Sequence, residues 1–162
     1  MIPRSEVTLR RALPEDAPTI AEIWHLGWRD GHLGSVSQEL IEARHEASFR
    51  TRAARRVNDT TLAVVKDQIA GFVMVVDNEV EQLYVSALHR GEGVADMLMA
   101  HAERQIKDAG YSSAWLAVVT GNARARKFYE RRGWSDGGLF EYGAAGDYGP
   151  IPVPSHRYVK DL

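Results

Sequence analysis

The chain has no cysteine among its 162 residues. This absence rules out disulfides, thiolate nucleophiles and cysteine-ligated zinc. There is also no apolar run near the roughly 18–20 residues that span a bilayer, and the opening MIPRSEVTLRR lacks the apolar segment of a signal peptide. No two histidines have the H-E-x-x-H spacing of a zinc site. We therefore expect a cytoplasmic protein with no membrane contact and no catalytic metal.

The chain also lacks a large excess of charge of either sign. Lysine and arginine number 20 and aspartate and glutamate 22, which gives a formal net charge of −2. This balance disfavours a nucleic-acid partner. Two segments, 50–56 and 122–133, are nevertheless basic, and each is either a solvated helix face or a local site for a phosphorylated ligand. The length and the hydrophobic fraction of 44% favour a single domain over residues 1–162.

Hydrophobic periodicity and turn residues predict the element order β-α-α-β-β-β-α-β-α-β-β. The predicted strands are 7–12, 60–67, 69–77, 79–86, 113–120, 139–142 and 155–160, with a Gly/Pro loop before the last. The predicted helices are 14–28, 37–56, 93–109 and 122–133, and Gly27, Gly31 and Gly34 are expected to break the first one into a loop. The run 79–120 is one parallel crossover. The fold class is therefore α+β: a mixed, mostly antiparallel sheet of about six or seven strands, flanked by about four helices.

The stretch LHRGEGVADMLM, residues 88–99, passes from a glycine loop directly into a helix. Gly91 and Gly93 can adopt positive φ and expose successive backbone amides, and a helix start adds unpaired amides and a positive dipole end. These features favour an anion site that binds through the backbone. The alternative is a sharp strand-to-helix turn capped by acidic residues. A P-loop and a dinucleotide fingerprint are both absent, so the loop by itself does not decide.

A second motif follows one strand later. The loop reads Arg90-x-x-Gly93-x-Ala95, and the later segment reads Asn122-x-x-Ala125-x-x-Phe128-Tyr129-x-x-x-Gly133-Trp134. Together, on a strand–helix–strand–helix frame, they resemble the GCN5-related N-acetyltransferase (GNAT) superfamily over about residues 5–135. The resemblance implies the GNAT fold and acetyl-coenzyme A as co-substrate, with coenzyme A as product.

The resemblance also implies a set of coenzyme-binding residues. The loop amides would hold the pyrophosphate, the backbone of Leu83 and Val85 would pair with the pantetheine arm, and Asn122 would hydrogen-bond that arm or only cap its own helix. The full expected set is Leu83, Tyr84, Val85, Arg90, Gly91, Glu92, Gly93, Val94, Ala95, Asn122, Arg124, Ala125 and Phe128.

Catalytic roles follow from the same resemblance. Tyr129 would protonate the leaving thiolate, unless it is a core aromatic with a satisfied hydroxyl, and the Val85 N–H would polarise the thioester carbonyl. An alkylamine has a pKa near 10.4, so a base must deprotonate it. Glu79 or Glu81 is expected to do so through water. Both are expected to share a face with Leu83 and Val85, the alternative being a solvated strand start.

The acceptor is the least determined part. Trp24, Trp28, Arg29, His32 and Tyr142 are the expected acceptor-pocket residues. The predicted function is transfer of acetyl to a primary amine, on a small molecule or a peptide, by direct attack. The alternative is a non-catalytic acyl-CoA-binding or sensor module, which needs neither Tyr129 nor a base. The sequence is compatible with a homodimer, which is frequent in the family, and with a monomer.

Overall fold

Residues 2–162 are described by a computed structural model, which contains one seven-stranded sheet in the order β1-β2-β3-β4-β5-β7-β6. The strands are β1 Val7–Arg11, β2 Thr60–Val65, β3 Gln68–Val76, β4 Glu79–Val85, β5 Ser113–Val119, β6 Ser135–Ala144 and β7 Ile151–Asp161. The helices are α1 Ala17–His32, α2 Gln38–Ala43, α3 Glu46–Arg55, α4 Val94–Asp108 and α5 Ala123–Arg131. Only β4 and β5 pair in parallel. The predicted mixed, mostly antiparallel α+β fold is confirmed.

Two hydrophobic cores cover the two faces of this sheet. Along β3, Phe72 and Met74 pack with α1 and α3, whereas Val73 and Val75 pack with α4. This alternation follows from the two-residue period of a strand, and it explains why the central strands are apolar throughout. The largest buried side chain of the first core is Trp24 of α1. No helix within residues 2–162 is both long and apolar enough to span a membrane.

Two glycines expected to end the first helix lie inside it instead. α1 continues to His32, because Gly27 and Gly31 serve close packing and not a turn. A Cβ at Gly27 would lie 2.4 Å from the Tyr84 ring, and one at Gly31 would lie 2.8 Å from the side-chain amide nitrogen of Asn122. The glycines thus let α1 approach β4 and the segment after β5 closely.

The second predicted helix, 37–56, is two helices. Arg44 leaves the helical region with φ −96° and ψ 44°, and α3 restarts at Glu46. The break turns Arg44 inward, where it is buried and its guanidinium donates to the Ala145 carbonyl at 2.6 Å. The carbonyl that Arg44 contacts is 101 positions away in sequence, so no local sequence pattern predicts this break.

The last two strands are longer than predicted. β6 begins with the polar run 135–138, and β7 begins at Ile151 in spite of Pro152 and Pro154. β7 pairs with β5 only from Ser155 onward, so both prolines lie outside the β5–β7 ladder, and the Pro154 carbonyl accepts from the N–H of Thr120, which follows β5. Proline is tolerated at such positions because no ladder amide is needed there.

Candidate active site

A gap opens in the sheet between β4 and β5. The two strands share one bridge, Glu79 with Trp115, supported by a hydrogen bond of 3.0 Å from the Trp115 N–H to the Asn78 carbonyl. Beyond this point the strands diverge, so the backbone of β4 from Val80 to Val85 has no β5 neighbour. The divergence creates an open strand edge within the sheet.

Leu83 and Val85 present their backbone groups to this gap. The Ser86 N–H donates to the Ala70 carbonyl at 2.8 Å, so the Ala70–Ser86 pair is hydrogen-bonded. Pairs in an antiparallel ladder alternate between bonded and non-bonded, and Val85 lies opposite Gly71 and Leu83 opposite Val73. The amides and carbonyls of Leu83 and Val85 therefore point away from β3. They offer an extended ligand the hydrogen bonds of a missing strand.

A bulge in β4 changes which residues face each core. Met74 pairs with Gln82 and Val75 with Val80, so Glu81 is an extra residue in the ladder. The packing changes accordingly: Val80 joins Leu83 and Val85 in the α4 core. The prediction that Glu79 and Glu81 share a face with Leu83 and Val85 is therefore wrong, because it assumed an unbroken two-residue period.

The loop before α4 has the backbone of an anion-binding turn. Gly91 and Gly93 have φ of 79° and 85°, and a Cβ at either would meet nothing within 4 Å. Glycine is therefore favoured at these two positions by the backbone conformation, and not by a lack of room for a side chain. The first helical hydrogen bond runs from the Met97 N–H to the Gly93 carbonyl at 3.2 Å, and no side chain caps the helix. The amides of Val94, Ala95 and Asp96 are left as donors at the positive end of α4.

The acidic side chains of this loop have basic neighbours. Glu92 lies 3.2 Å from the Nδ1 atom of His89, and Asp96 lies 3.2 Å from Arg132. Val94 is buried beneath the loop in the α4 core. Arg132 thus offsets the charge of Asp96, and Glu92 is held by its contact with His89, so the backbone amides are the groups of this loop left open to an anion.

The basic side chains around the loop have different environments. Arg90 forms a 2.8 Å ion pair with Asp30 at the end of α1. Arg124 is exposed on α5. Arg126 is held by structure, because it donates to the Tyr158 hydroxyl at 3.2 Å and the Thr120 carbonyl at 3.3 Å. Arg90 and Arg124 remain the cations expected to meet phosphate groups there.

Asn122 and Tyr129 lie on the β5 side of the gap and line the same cavity. The Asn122 carbonyl oxygen accepts from the Ala125 N–H at 3.2 Å, so this side chain does cap α5. Its NH₂ group stays available for a ligand. Ala125 also lines the cavity, and Phe128 packs edge-on against the Tyr129 ring at 5.4 Å.

The Tyr129 ring is packed but its hydroxyl is not used by the fold. The ring lies among Phe128, Trp134 and Tyr158, and burial raises the pKa of its phenol to about 12. Within residues 2–162 the hydroxyl makes no hydrogen bond, although 31 side-chain hydrogen bonds are formed there. A neutral phenol with an unused proton, at the edge of a cavity, is suited to donate that proton.

The gap opens into a cavity of about 620 Å³, a volume typical of small-molecule sites. The expected acceptor residues Trp24, Trp28, His32 and Tyr142 line it, together with Glu79, Glu81, Leu83 and Tyr84. Arg29 does not, and its side chain is exposed. It follows Trp28 directly on α1, where a step of about 100° turns it away from the cavity, so its assignment to the acceptor pocket is withdrawn.

The two candidate bases differ in their surroundings. Glu79 accepts a hydrogen bond of 3.3 Å from the Tyr142 hydroxyl, and burial, aided by the charge of Glu81, raises the pKa of Glu79 to about 7. Glu81 instead forms an ion pair of 3.3 Å with Arg56. A carboxylate with a pKa near neutrality is the better proton acceptor at pH 7. Glu79 is thus the stronger candidate.

His32 has no titrating role at neutral pH. Its ring stacks on Trp28 at 4.8 Å, its Nδ1 atom lies 2.9 Å from the Trp28 carbonyl, and burial lowers its pKa to about 4. The neutral ring forms part of the cavity wall. Within residues 2–162 there is no group of three or more histidine, aspartate or glutamate side chains able to hold a metal ion.

Two arginines of the cavity wall, Arg44 buried and Arg52 half-buried, were missed from the sequence. Arg44 and Arg52 line the cavity, and the Arg52 guanidinium lies 4.2 Å from the centre of the Trp24 ring. The basic segment 50–56 was noted, but as a solvated face or a phosphate site. Its helical spacing offered a better signal, since Arg52 and Ala53 follow the apolar Phe49 by three and four residues and so share its inward face.

Comparison with known proteins assigns the family. Residues 18–134 match the sequence model of the acetyltransferase (GNAT) family, which is more than half of the chain. The chain therefore belongs to this family, in agreement with the resemblance of its two motifs.

Individual relatives are more distant. Streptothricin acetyltransferase of Streptomyces lavendulae is 28% identical over 135 residues, which are 80% of this chain and 64% of that protein. The chain thus spans less than two thirds of that relative. A GCN5-related N-acetyltransferase from Rhodopseudomonas palustris superposes with a TM-score of 0.78 at 23% identity, covering 100% of this chain and 99% of that one.

Two further structures hold the coenzyme. PaiA N-acetyltransferase of Thermoplasma acidophilum, in complex with coenzyme A, has a TM-score of 0.68 at 19% identity and covers 96% and 99% of the two chains. YncA, a putative acetyltransferase from Salmonella typhimurium with acetyl-CoA, has a TM-score of 0.71 at 15% identity, with 97% and 94% covered. At these identities the likeness concerns the fold.

Proposed function

We propose that this chain is an acetyl-CoA-dependent N-acetyltransferase that moves acetyl to a primary amine by direct attack. The observation that carries the proposal is the gap between β4 and β5: the backbone groups of Leu83 and Val85 point away from β3 along its edge, and Leu83 and Tyr129 line the cavity into which it opens. Family membership and coenzyme-bound structural relatives add support.

The residues present fit the coenzyme along its length. The amides of Val94 and Ala95 and the loop Arg90–Gly93 hold the pyrophosphate, with Arg124 near its nucleotide end. Leu83 and Val85 hydrogen-bond the pantetheine arm as a neighbouring strand would, and the Asn122 NH₂ group binds it from the other side. Bound there, acetyl-CoA supplies the acetyl group in an activated thioester.

Three groups of the chain perform the transfer. Glu79, through water, receives the proton that the acceptor ammonium must lose before its nitrogen can attack. The Val85 N–H donates a hydrogen bond to the carbonyl oxygen as negative charge develops on it. Tyr129 donates its hydroxyl proton to the departing sulfur, and its phenolate takes back, through solvent, the second proton that the acceptor nitrogen loses as the amide forms. The amide bond forms as the thioester bond breaks.

A thiol-release assay with acetyl-CoA against a panel of primary amines tests this function. We expect release that depends on the amine and a matching acetylated product by mass spectrometry. If calorimetry detects coenzyme binding but no amine is turned over, the chain is better described as the non-catalytic acyl-CoA-binding module than as an enzyme. Absence of coenzyme binding at millimolar concentration would exclude both.

A further inference from the structure

One arginine of the cavity wall has a buried nitrogen without a partner. The Nη1 atom of Arg52 is buried and has no hydrogen-bond partner within residues 2–162. Its guanidinium carbon lies 4.2 Å from the centre of the Trp24 ring and 5.8 Å from the centre of the Phe49 ring. A buried donor without a partner costs about 1–3 kcal/mol, and more when it is charged. Such a group in a cavity indicates a ligand that completes it.

Carboxylate charges act on this part of the wall, that of Glu81 on Arg52 and that of Asp147 on Arg44, but none of them pairs with it. Among the described residues neither Arg44 nor Arg52 forms an ion pair. One guanidinium nitrogen of Arg44 donates a hydrogen bond to the neutral Ala145 carbonyl at 2.6 Å. Glu81 is already paired with Arg56, and Glu79 accepts from Tyr142. Burial lowers the pKa of Arg52 to about 10, with a further lowering by the charge of Arg44, yet Arg52 stays cationic at pH 7.

The coenzyme phosphates are poorly placed to be the missing counterpart. Phe49 and Ala53 bury α3 in the core on one face of the sheet, whereas Val94 and Leu98 bury α4 in the core on the other. The phosphate loop belongs to the start of α4. Arg52 instead shares its cavity with Trp28, Glu79 and Tyr142, on the side expected for the acceptor.

We propose that the acceptor is a small primary amine that also bears an oxyanion, of the amino-carboxylate or amino-phosphonate kind. Arg52, with Arg44, binds the oxyanion through paired N–H donors, while the amine faces Glu79. The cavity of about 620 Å³ limits the acceptor to a small molecule once the pantetheine arm is present. This inference rests on the proposed function and narrows its substrate class.

Matched acceptor sets test the proposal in the full chain with acetyl-CoA. Each set contains an amino acid, its neutral primary amide, its decarboxylated amine and its 1-aminophosphonate; leucine and phenylalanine give two such sets. We expect the carboxylate or the phosphonate to exceed the amide about 10- to 100-fold in kcat/KM, the range for a hydrogen bond to a charged group. The two oxyanion members show which group is preferred. Equal use of all members would overturn the proposal and leave the acetyltransferase intact.

Arg52→Gln should remove the preference for the oxyanion, raising KM for the acid about 10- to 100-fold while kcat/KM for the amide stays within about twofold. Arg52→Lys should restore part of it. Arg50→Gln is the control, because Arg50 lies on the same helix with its side chain 61% exposed. An unchanged acid-to-amide ratio in Arg52→Gln, with coenzyme affinity and melting temperature preserved, would also overturn the proposal.

A binding readout keeps the two hypotheses separate. Calorimetry of N-acetyl-leucine and N-acetyl-leucinamide against the coenzyme A-loaded protein needs no turnover. We expect the acid alone to bind measurably, and Arg52→Gln to abolish that binding. If no amine is acetylated but this binding and its dependence on Arg52 persist, the proposed function fails and the oxyanion site stands. If the acid does not bind, the site fails.

Discussion

The two sides of the β4–β5 gap are built from different materials. On the side proposed for the coenzyme, the groups open to a ligand are mostly backbone: amides at the start of α4 and along Leu83 and Val85. On the side proposed for the acceptor they are side chains, namely stacked aromatic rings, Arg44 and Arg52, and the Glu79–Tyr142 pair. A backbone site tolerates substitution wherever φ is preserved, whereas a side-chain site changes with each substitution. The fold can thus keep one co-substrate while its acceptor varies.

Tyr129 is the one side chain with a proposed chemical role on the coenzyme side. We expect Tyr129→Phe to lower kcat by about 10²- to 10⁴-fold, the range for general acid catalysis, with coenzyme affinity within about twofold. Steady-state kinetics and calorimetry measure the two quantities. Tyr111→Phe, at a partly exposed position, is the control. Full turnover in Tyr129→Phe would mean that water, and not Tyr129, protonates the departing sulfur. Backbone groups would then be the main contribution of the coenzyme side.

Glu79 tests the acceptor side in the same way. Because its pKa is raised to about 7, its carboxylate form accumulates as pH rises through 7, so kcat/KM should climb across that range. Glu79→Gln should remove this limb and lower kcat/KM at pH 8 by about 100-fold, the low end of the range for acid–base catalysis. Glu81→Gln should keep the limb but move it to lower pH, because the charge of Glu81 helps to raise the pKa of Glu79. If Glu81→Gln loses the limb and Glu79→Gln keeps it, the roles are reversed.

Gly93 and Gly110 form a matched pair for the backbone side. Both have positive φ, 85° and 101°, and neither Cβ would clash, so alanine at either should cost about 1–2 kcal/mol of stability. Only Gly93→Ala should also weaken coenzyme A binding, by about tenfold, because it reorients amides at the start of α4. Calorimetry and thermal melting separate the effects. Equal affinities in the two variants would argue against a backbone anion site.

Gly27→Ala should have the smallest effect on chemistry and act through packing. The new Cβ would meet the Tyr84 ring at 2.4 Å, so overpacking of about 1–3 kcal/mol should outweigh the gain of about 1 kcal/mol from replacing glycine in a helix. A lower melting temperature is the expected result. A higher melting temperature would mean that α1 and β4 are not in close contact. The position of α1 in the cavity wall would then be wrong.

The features that the sequence predicts are local ones, and those that it does not predict depend on distant parts of the chain. The order of the strands and the glycine turn before α4 could be predicted, since glycine at positive φ, caps and periodicity are local properties. The bulge at Glu81, the inward turn of Arg44 and the packing glycines of α1 could not, because each depends on a partner distant in the chain. Glu79 and Glu81 were both found from the sequence, but only burial and ion pairing distinguish them.

Pro152 and Pro154 give the start of β7 a distinct property. The Thr120 N–H donates to the Pro154 carbonyl at 3.4 Å on the β5 side, and in an antiparallel ladder the amide position of a residue faces the same side as its carbonyl. Pro152, two residues earlier, faces that side too, so both prolines place a nitrogen without hydrogen there. A chain that approached this side of β7 would find no donor at either proline and could not build a complete ladder. The open side of β4, in contrast, offers both the amides and the carbonyls of Leu83 and Val85.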